Sequence, residues 1–198
     1  MNSPKEIIKV SAPLHKPSAG GVPDRKWHVA LVRRNYERLC RDKLLSLGHE
    51  AYVASQKETH VYGSRNRREV ERLVIPGIVF ILVNEKERQA TLKECPLIYH
   101  YMTNRAERAN DLGRHPFATI PDNQMERLRY MLYHAETPVN FTSEPLRLGD
   151  HIRVARGQLA GLEGTISRQA SSTFLVVTLD ILGSAMVTIS PDDIERIA

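Results

Sequence analysis

Leu148–Ile166, LGDHIRVARGQLAGLEGTI, carries the pattern from which the C-terminal part of this chain is read. Ile152 and Val154 alternate with His151 and Arg153, the period of a strand with one buried face. Gly157 ends the run where the backbone needs a positive φ. Gly161 and Gly164 bracket a second turn and let a neighbouring strand approach closely. Downstream, Val176-Val177-Thr178 and Val187-Thr188-Ile189 add β-branched alternation. Residues 146–198 are therefore expected to form a small all-β barrel of four or five strands without an obvious helix.

Immediately upstream, Ala135–Glu144 (AETPVNFTSE) loses all periodicity, so residues 135–145 are expected to be a linker. Before it, the pattern is mixed. Trp27–Val32 (WHVALV) reads as a buried strand. A helix follows with an apolar stripe of Tyr36, Leu39, Cys40, Leu44 and Leu47, ended by Gly48. Ala51–Val53 resumes a strand, and residues 58–73 read as two strands around Gly63–Asn66. Val74–Val83 (VIPGIVFILV) is apolar on both faces, hence central, with Pro76-Gly77 just inside it. Glu85–Glu94 is a helix that stops before Pro96, and Leu97–Met102 is a strand. Asp122 can cap a last helix whose stripe is Met125, Leu128 and Leu132. The order predicts an antiparallel sheet with helices segregated to one side, an α+β domain over residues 27–134. Residues 1–26, with four prolines and Gly20-Gly21, are expected to be a flexible extension.

Composition narrows the class. In 198 residues, 26% charged and 41% hydrophobic, no run approaches the roughly 20 apolar residues of a membrane helix, so no membrane partner and a cytoplasmic address are expected. Cys40 and Cys95 have no motif spacing, which argues against a disulfide framework or a zinc site, and no cofactor is expected. Charge is unevenly placed: residues 1–26 are +3, residues 27–134 are +5 and residues 135–198 are −3. A basic body with an acidic tail domain predicts two partners rather than one nucleic-acid surface. Arg33, Arg34, Arg38, Arg41 and Lys43 mark one basic face, and Arg65, Arg67 and Arg68 a basic hairpin tip suited to a phosphate backbone. For His100 near Cys95, or Asp192-Asp193, no nucleophile elbow, phosphate loop or metal-ligand spacing organises a catalytic site, so no enzyme is expected.

Together these features resemble the NusG family, whose members join an NGN domain to a C-terminal, SH3-like KOW barrel. The glycine register of residues 149–164 is similar to a KOW motif. Arg67-Arg68-x-x-Glu71-Arg72-x-x-x-Pro76-Gly77 resembles the family's RRxxERxFFPG segment, and Cys95-Pro96-Leu97-Ile98 its entry to a later strand. Trp27 opening the first strand and Ile181-Leu182-Gly183 complete the colinear set.

The resemblance implies a monomeric transcription elongation factor that binds the clamp helices of RNA polymerase through Trp27, Ile75, Ile78, Phe80 and Tyr101. Specialised paralogues of the RfaH and UpxY type, the latter controlling polysaccharide operons, contact non-template single-stranded DNA or nascent RNA. The face at Arg33–Lys43 is the position implied for that contact. The loop Ile181, Leu182, Gly183 and Ser184 is implied to bind a protein partner such as ribosomal NusE. It has Leu182 and Ser184 where the family's Rho-binding loop has Phe and Arg. The prolyl extension and these departures point to a specialised antiterminator. The alternatives are a housekeeping NusG coupling polymerase to ribosome or Rho, and a ribosome-associated RNA-binding KOW protein.

Overall fold

The structure, a computed structural model, describes residues 24–62, 66–169 and 172–197, with the side chains of residues 59–62, 66 and 67 outside that description. The expected extension 1–26 therefore lies outside it up to residue 23, and its last residue, Lys26, already belongs to the first strand.

The first lobe contains β1 (Lys26–Val32), α1 (Glu37–Ser46), β2 (Glu50–Tyr52), β3 (Ser55–Tyr62), β4 (Asn66–Leu73), β5 (Ile78–Val83), α2 (Glu85–Glu94), β6 (Ile98–Tyr101), β7 (Thr119–Ile120) and α3 (Asp122–His134). An antiparallel sheet runs β2-β5-β1-β6, with β7 also paired to β1, while β3 and β4 form a separate hairpin. The central position expected for the VFILV segment holds, since β5 lies between β2 and β1. Pro76-Gly77 falls outside the strand, however. Gly77 has φ +80°, a turn that only glycine adopts cheaply, and its N–H is bonded to Glu37 Oε1 at 2.7 Å.

The helices are not segregated to one side of the sheet. Trp27, Val29, Ile78 and Phe80 face Met125, Leu128, Met131 and Leu132 of α3. The alternate residues Ala30, Val32, Val79, Ile81 and Val83 face Cys40 and Leu44 of α1 and Cys95 beyond α2. A central strand apolar on both faces needs cover on both, and α3 supplies the second layer.

Each helix shows how far local pattern reaches. In α2, Asn84 accepts from the backbone of Lys86 and Glu87, and Glu87 accepts from Asn84 N–H, a complete capping box. In α1 only Glu37, Cys40 and Leu44 are buried, while Tyr36, Leu39 and Leu47 of the expected stripe are exposed. The helix touches the sheet along one narrow line, and Glu37 occupies that line because its carboxylate holds the Gly77 turn. At α3 the residue before the helix is Pro121, and Asp122 is the first helical residue rather than its cap.

The second lobe is a six-stranded antiparallel sheet of β8 (Asn140–Thr142), β9 (His151–Val154), β10 (Glu163–Gln169), β11 (Ser172–Leu179), β12 (Gly183–Thr188) and β13 (Ile194–Arg196), in the order β13-β9-β10-β11-β12-β8. Gly157 (φ +85°) takes the left-handed conformation expected of it, and Gly161 (φ +86°) takes it too. Gly164 answers a different need. A Cβ there would lie 2.5 Å from the Val176 carbonyl oxygen, so a neighbouring strand occupies the space of a side chain.

The stretch 135–145 is not a free linker. Gln56 on β3 donates to the carbonyls of Ala135 (3.0 Å) and Thr137 (2.9 Å) and accepts from Val139 N–H (2.8 Å). Arg72 on β4 donates to the Val139 carbonyl at 2.8 Å, and β8 then joins β12. The two lobes share one hydrophobic cluster that runs from β1 and β5 through α3 into Leu159, Leu162, Leu175 and Leu179. At the rim of this contact, Tyr130 donates to the Ala160 carbonyl (2.9 Å), Gln124 accepts from Asp180 N–H (2.8 Å) and Arg127 pairs with Glu163 (3.3 Å).

Candidate functional site

The five apolar positions expected to meet a partner are all buried. Trp27, Ile75, Ile78 and Phe80 belong to the cluster on the α3 face of the sheet, with Ile78 the most accessible at 8%. Tyr101 lies on the opposite face, against α2. Its hydroxyl is 2.6 Å from Thr91 Oγ1, and burial pushes its pKa up to about 12. The pleat explains the division, because alternate residues of neighbouring antiparallel strands point to opposite sides. In this arrangement the five do not compose one exposed surface.

The basic face is partly as expected. Arg33, Arg34 and Lys43 are exposed, and Arg33 lies over the Tyr36 ring at 5.4 Å. Arg38 and Arg41 are half-buried and paired, Arg38 with Glu71 of β4 at 3.0 Å and Arg41 with Asp42 at 2.8 Å. The Ser55 hydroxyl and Arg38 hold the Glu71 carboxyl below its ordinary range despite partial desolvation. Arg68 is exposed on β4, whereas the Arg65 residue and the Arg67 side chain lie outside the described parts. The free positive charge of this face, among the described residues, is therefore carried by Arg33, Arg34 and Lys43, and Leu39 (56%) and Leu47 (44%) are exposed in the same segment.

In the β11–β12 turn, the four expected residues have different fates. Leu182 and Ser184 are buried, and a Cβ on Gly183 would collide with the Thr142 carbonyl oxygen. Only Ile181 presents a large apolar side chain, at 43% exposure, and it does so with φ +75°. A β-branched residue in the left-handed region is strained, which singles out this turn as a place on the second lobe where an exposed apolar group is held at a conformational cost.

Sequence reading missed a second basic constellation. Arg88 of α2 is 4% exposed, its guanidinium 3.5 Å from the centre of the Phe117 ring and 5.4 Å from that of Tyr101. Beside it, Arg108, Arg114 and His115 of the β6–β7 connection line a cleft of about 660 Å³. The signal in the sequence was Arg105–Arg114, RAERANDLGR, whose arginines have no helical or strand period and so read as loop charge.

No family model matches the chain, and no curated protein does. Among solved structures, it is similar to one described as "Domain interaction in Thermotoga maritima NusG", at 16% identity and TM-score 0.46, over 88% of this chain and 98% of that one. It is also similar to the MjSpt4:Spt5 complex in conformations A and B. Both are 12% identical over 87% of this chain, with TM-scores of 0.28 and 0.29, and cover 98% and 97% of those chains.

Proposed function

We propose that this chain is a NusG-type transcription elongation factor, with an NGN-like first lobe that binds RNA polymerase and a KOW-like second lobe that binds a further protein. It acts as a specialised antiterminator in the cytoplasm, with polysaccharide biosynthesis operons among its targets. The observation that carries this reading is the colinear motif set: Trp27, the Arg67–Gly77 segment, Cys95-Pro96 and the Gly149–Gly164 register, in one order along one chain. Gly157 and Gly161 in left-handed turns and Gly164 against the backbone of the paired strand β11 support a requirement for glycine in that register. The reading needs no chemistry, since a factor that binds one state of polymerase better shifts the equilibrium toward it.

Burial of Trp27, Ile75, Ile78 and Phe80 adds a condition. Clamp helices reach these side chains only if α3 or the second lobe moves from the shared cluster. The free charge at Arg33, Arg34 and Lys43 remains open to single-stranded DNA meanwhile. In the second lobe, exposed Ile181 is the side chain offered to NusE or another protein, because Leu182 and Ser184 are buried.

The test is binding of the purified chain to bacterial RNA polymerase elongation complexes, beside an Ile75→Ala, Ile78→Ala variant whose folding is checked by circular dichroism. The expected result is binding by the natural chain and a loss of about tenfold or more in the folded variant. Equal binding by both moves the polymerase surface elsewhere. No binding by the natural chain overturns the reading.

A further inference from the structure

We infer that the cleft between α2 and the β6–β7 connection is a second nucleic-acid site, one that takes the phosphates of a single strand independently of the Arg33–Lys43 face. Its lining carries three arginines, Arg88, Arg108 and Arg114, against one carboxylate, Glu85. That carboxylate is already engaged, by Arg88 at 2.5 Å and Gln89 at 3.0 Å, and these bonds hold its pKa below the ordinary range. Arg108 and Arg114 are exposed, and neither guanidinium has a carboxylate or hydrogen-bond partner among the described residues.

The loop that carries them is held in shape. Asn110 Oδ1 accepts from the N–H groups of Leu112 (3.1 Å) and Arg114 (2.9 Å), and the Asn110 N–H donates to the Arg114 carbonyl at 2.9 Å. Asn104 N–H donates to the Pro116 carbonyl (2.8 Å) and His115 Nδ1 lies 2.8 Å from the Glu107 carbonyl oxygen. Two unpaired guanidinium forks on a preshaped loop lose little order on binding an oxyanion, and each can grip a phosphate with two N–H groups.

Phe117 argues for a strand rather than an isolated anion. Arg88 lies over its ring at 3.5 Å and Tyr101 meets it edge-on at 6.5 Å, but the residue is still 36% exposed, so a base can stack on its open rim while its phosphates reach Arg108 and Arg114. Positive charge with an aromatic platform is the pairing that recognises unpaired nucleotides of any sequence. An acidic peptide could meet the charge, but it would leave the aromatic rim without a purpose.

The experiment uses the full chain and fluorescence anisotropy of a labelled oligothymidylate of about 15 nucleotides, the upper range of a single-domain site. Four proteins are compared: the natural chain, an Arg108→Ala, Arg114→Ala variant, a Phe117→Leu variant, and an Arg33→Ala, Arg34→Ala variant, which is expected to keep the binding that the cleft supplies. All substitutions are on exposed side chains, and circular dichroism checks the folds. The first variant is expected to bind at least about tenfold more weakly, with the slope of log K against log salt reduced by about 0.7 for each phosphate no longer neutralised. A Phe117→Leu change is expected to weaken binding without altering that slope. Affinity and slope equal to those of the natural chain in the first variant, or no oligonucleotide binding at all, overturn the proposal. So does displacement of the oligonucleotide by a polyglutamate peptide of equal charge as readily as by unlabelled strand. Displacement by a free nucleoside monophosphate at similar concentration would reassign the cleft to a small phosphorylated ligand, overturning the strand.

Discussion

The Sγ atoms of Cys40 and Cys95 lie 3.6 Å apart, both fully buried between α1 and the end of α2. Burial, followed by the neighbouring sulfur, pushes the Cys40 thiol far above its ordinary pKa. Neither sulfur is accessible to a reagent, so this pair is inert while the fold is intact. The expected outcome with a chromogenic disulfide reagent near neutral pH is labelling at least about a hundredfold slower in buffer than in concentrated urea, where both thiols react. Rapid labelling of the native chain would show that α1 opens readily from the sheet.

His28 predicts a pH dependence of stability. The ring is 7% exposed, its Nδ1 has no hydrogen-bond partner among the described residues, and its pKa is lowered to about 4, first by burial and then by Arg88. Between the ordinary value of 6.5 and about 4 the unfolded chain binds the proton and the folded chain does not. Stability is therefore whole above pH 6.5, falls as pH drops toward 4, and loses on the order of 3 kcal/mol from this group. Urea unfolding at the two ends of that window checks it: a His28→Leu variant should show a shallower slope than the natural chain.

Two glycines of the second lobe separate two costs. Gly164→Ala sets a methyl group 2.5 Å from the Val176 carbonyl oxygen and 2.9 Å from Leu175 Cδ1, so a strand must shift, at roughly 1–3 kcal/mol. Gly157→Ala meets nothing within 4 Å and bears only the left-handed φ, about 1–2 kcal/mol. Chemical denaturation of both variants should rank Gly164→Ala as at least equal in damage, with loss of the β10–β11 amide protection confined to it.

Gln56→Ala removes the partner of three backbone groups, at Ala135, Thr137 and Val139. A buried donor or acceptor left without a partner costs roughly 1–3 kcal/mol. Hydrogen exchange should speed at the Val139 amide well before the β11 amides respond. Unchanged exchange at Val139 would mean that Arg72 and the β8–β12 pairing suffice.

Ile181→Asn should stabilise the second lobe, by about 1 kcal/mol, because Asn adopts the left-handed conformation more readily. Thermal unfolding checks the sign. If the same variant also loses a protein partner, the strain at Ile181 serves that contact.

Local pattern carried the reading of elements far. The end of α2 was legible in Pro96, two residues past Glu94, whereas the Asn84–Glu87 capping box was seen only in the structure. The stripe Met125, Leu128, Leu132 and the left-handed Gly157 were also legible, since periodicity and φ preference are properties of a few adjacent residues. The same logic misread α1, where Tyr36, Leu39 and Leu47 hold a helical period yet lie exposed, because a period marks a possible face and not its cover.

The short strands β7 and β8 exist only through their pairing with β1 and β12, but the three helices, the longer strands and the α+β and all-β halves are written in local sequence. Which faces are covered is not, and packing alone decided it. Packing placed α3 on the sheet face opposite α1 and α2, buried Trp27, Ile75, Ile78 and Phe80 beneath it, and turned Tyr101 to the other side. It brought Cys40 to Cys95 across 55 residues and Gln56 to Val139 across 83. Those outcomes depend on contacts between segments far apart in the chain, whose free energy is a property of the pair and is written in neither segment alone.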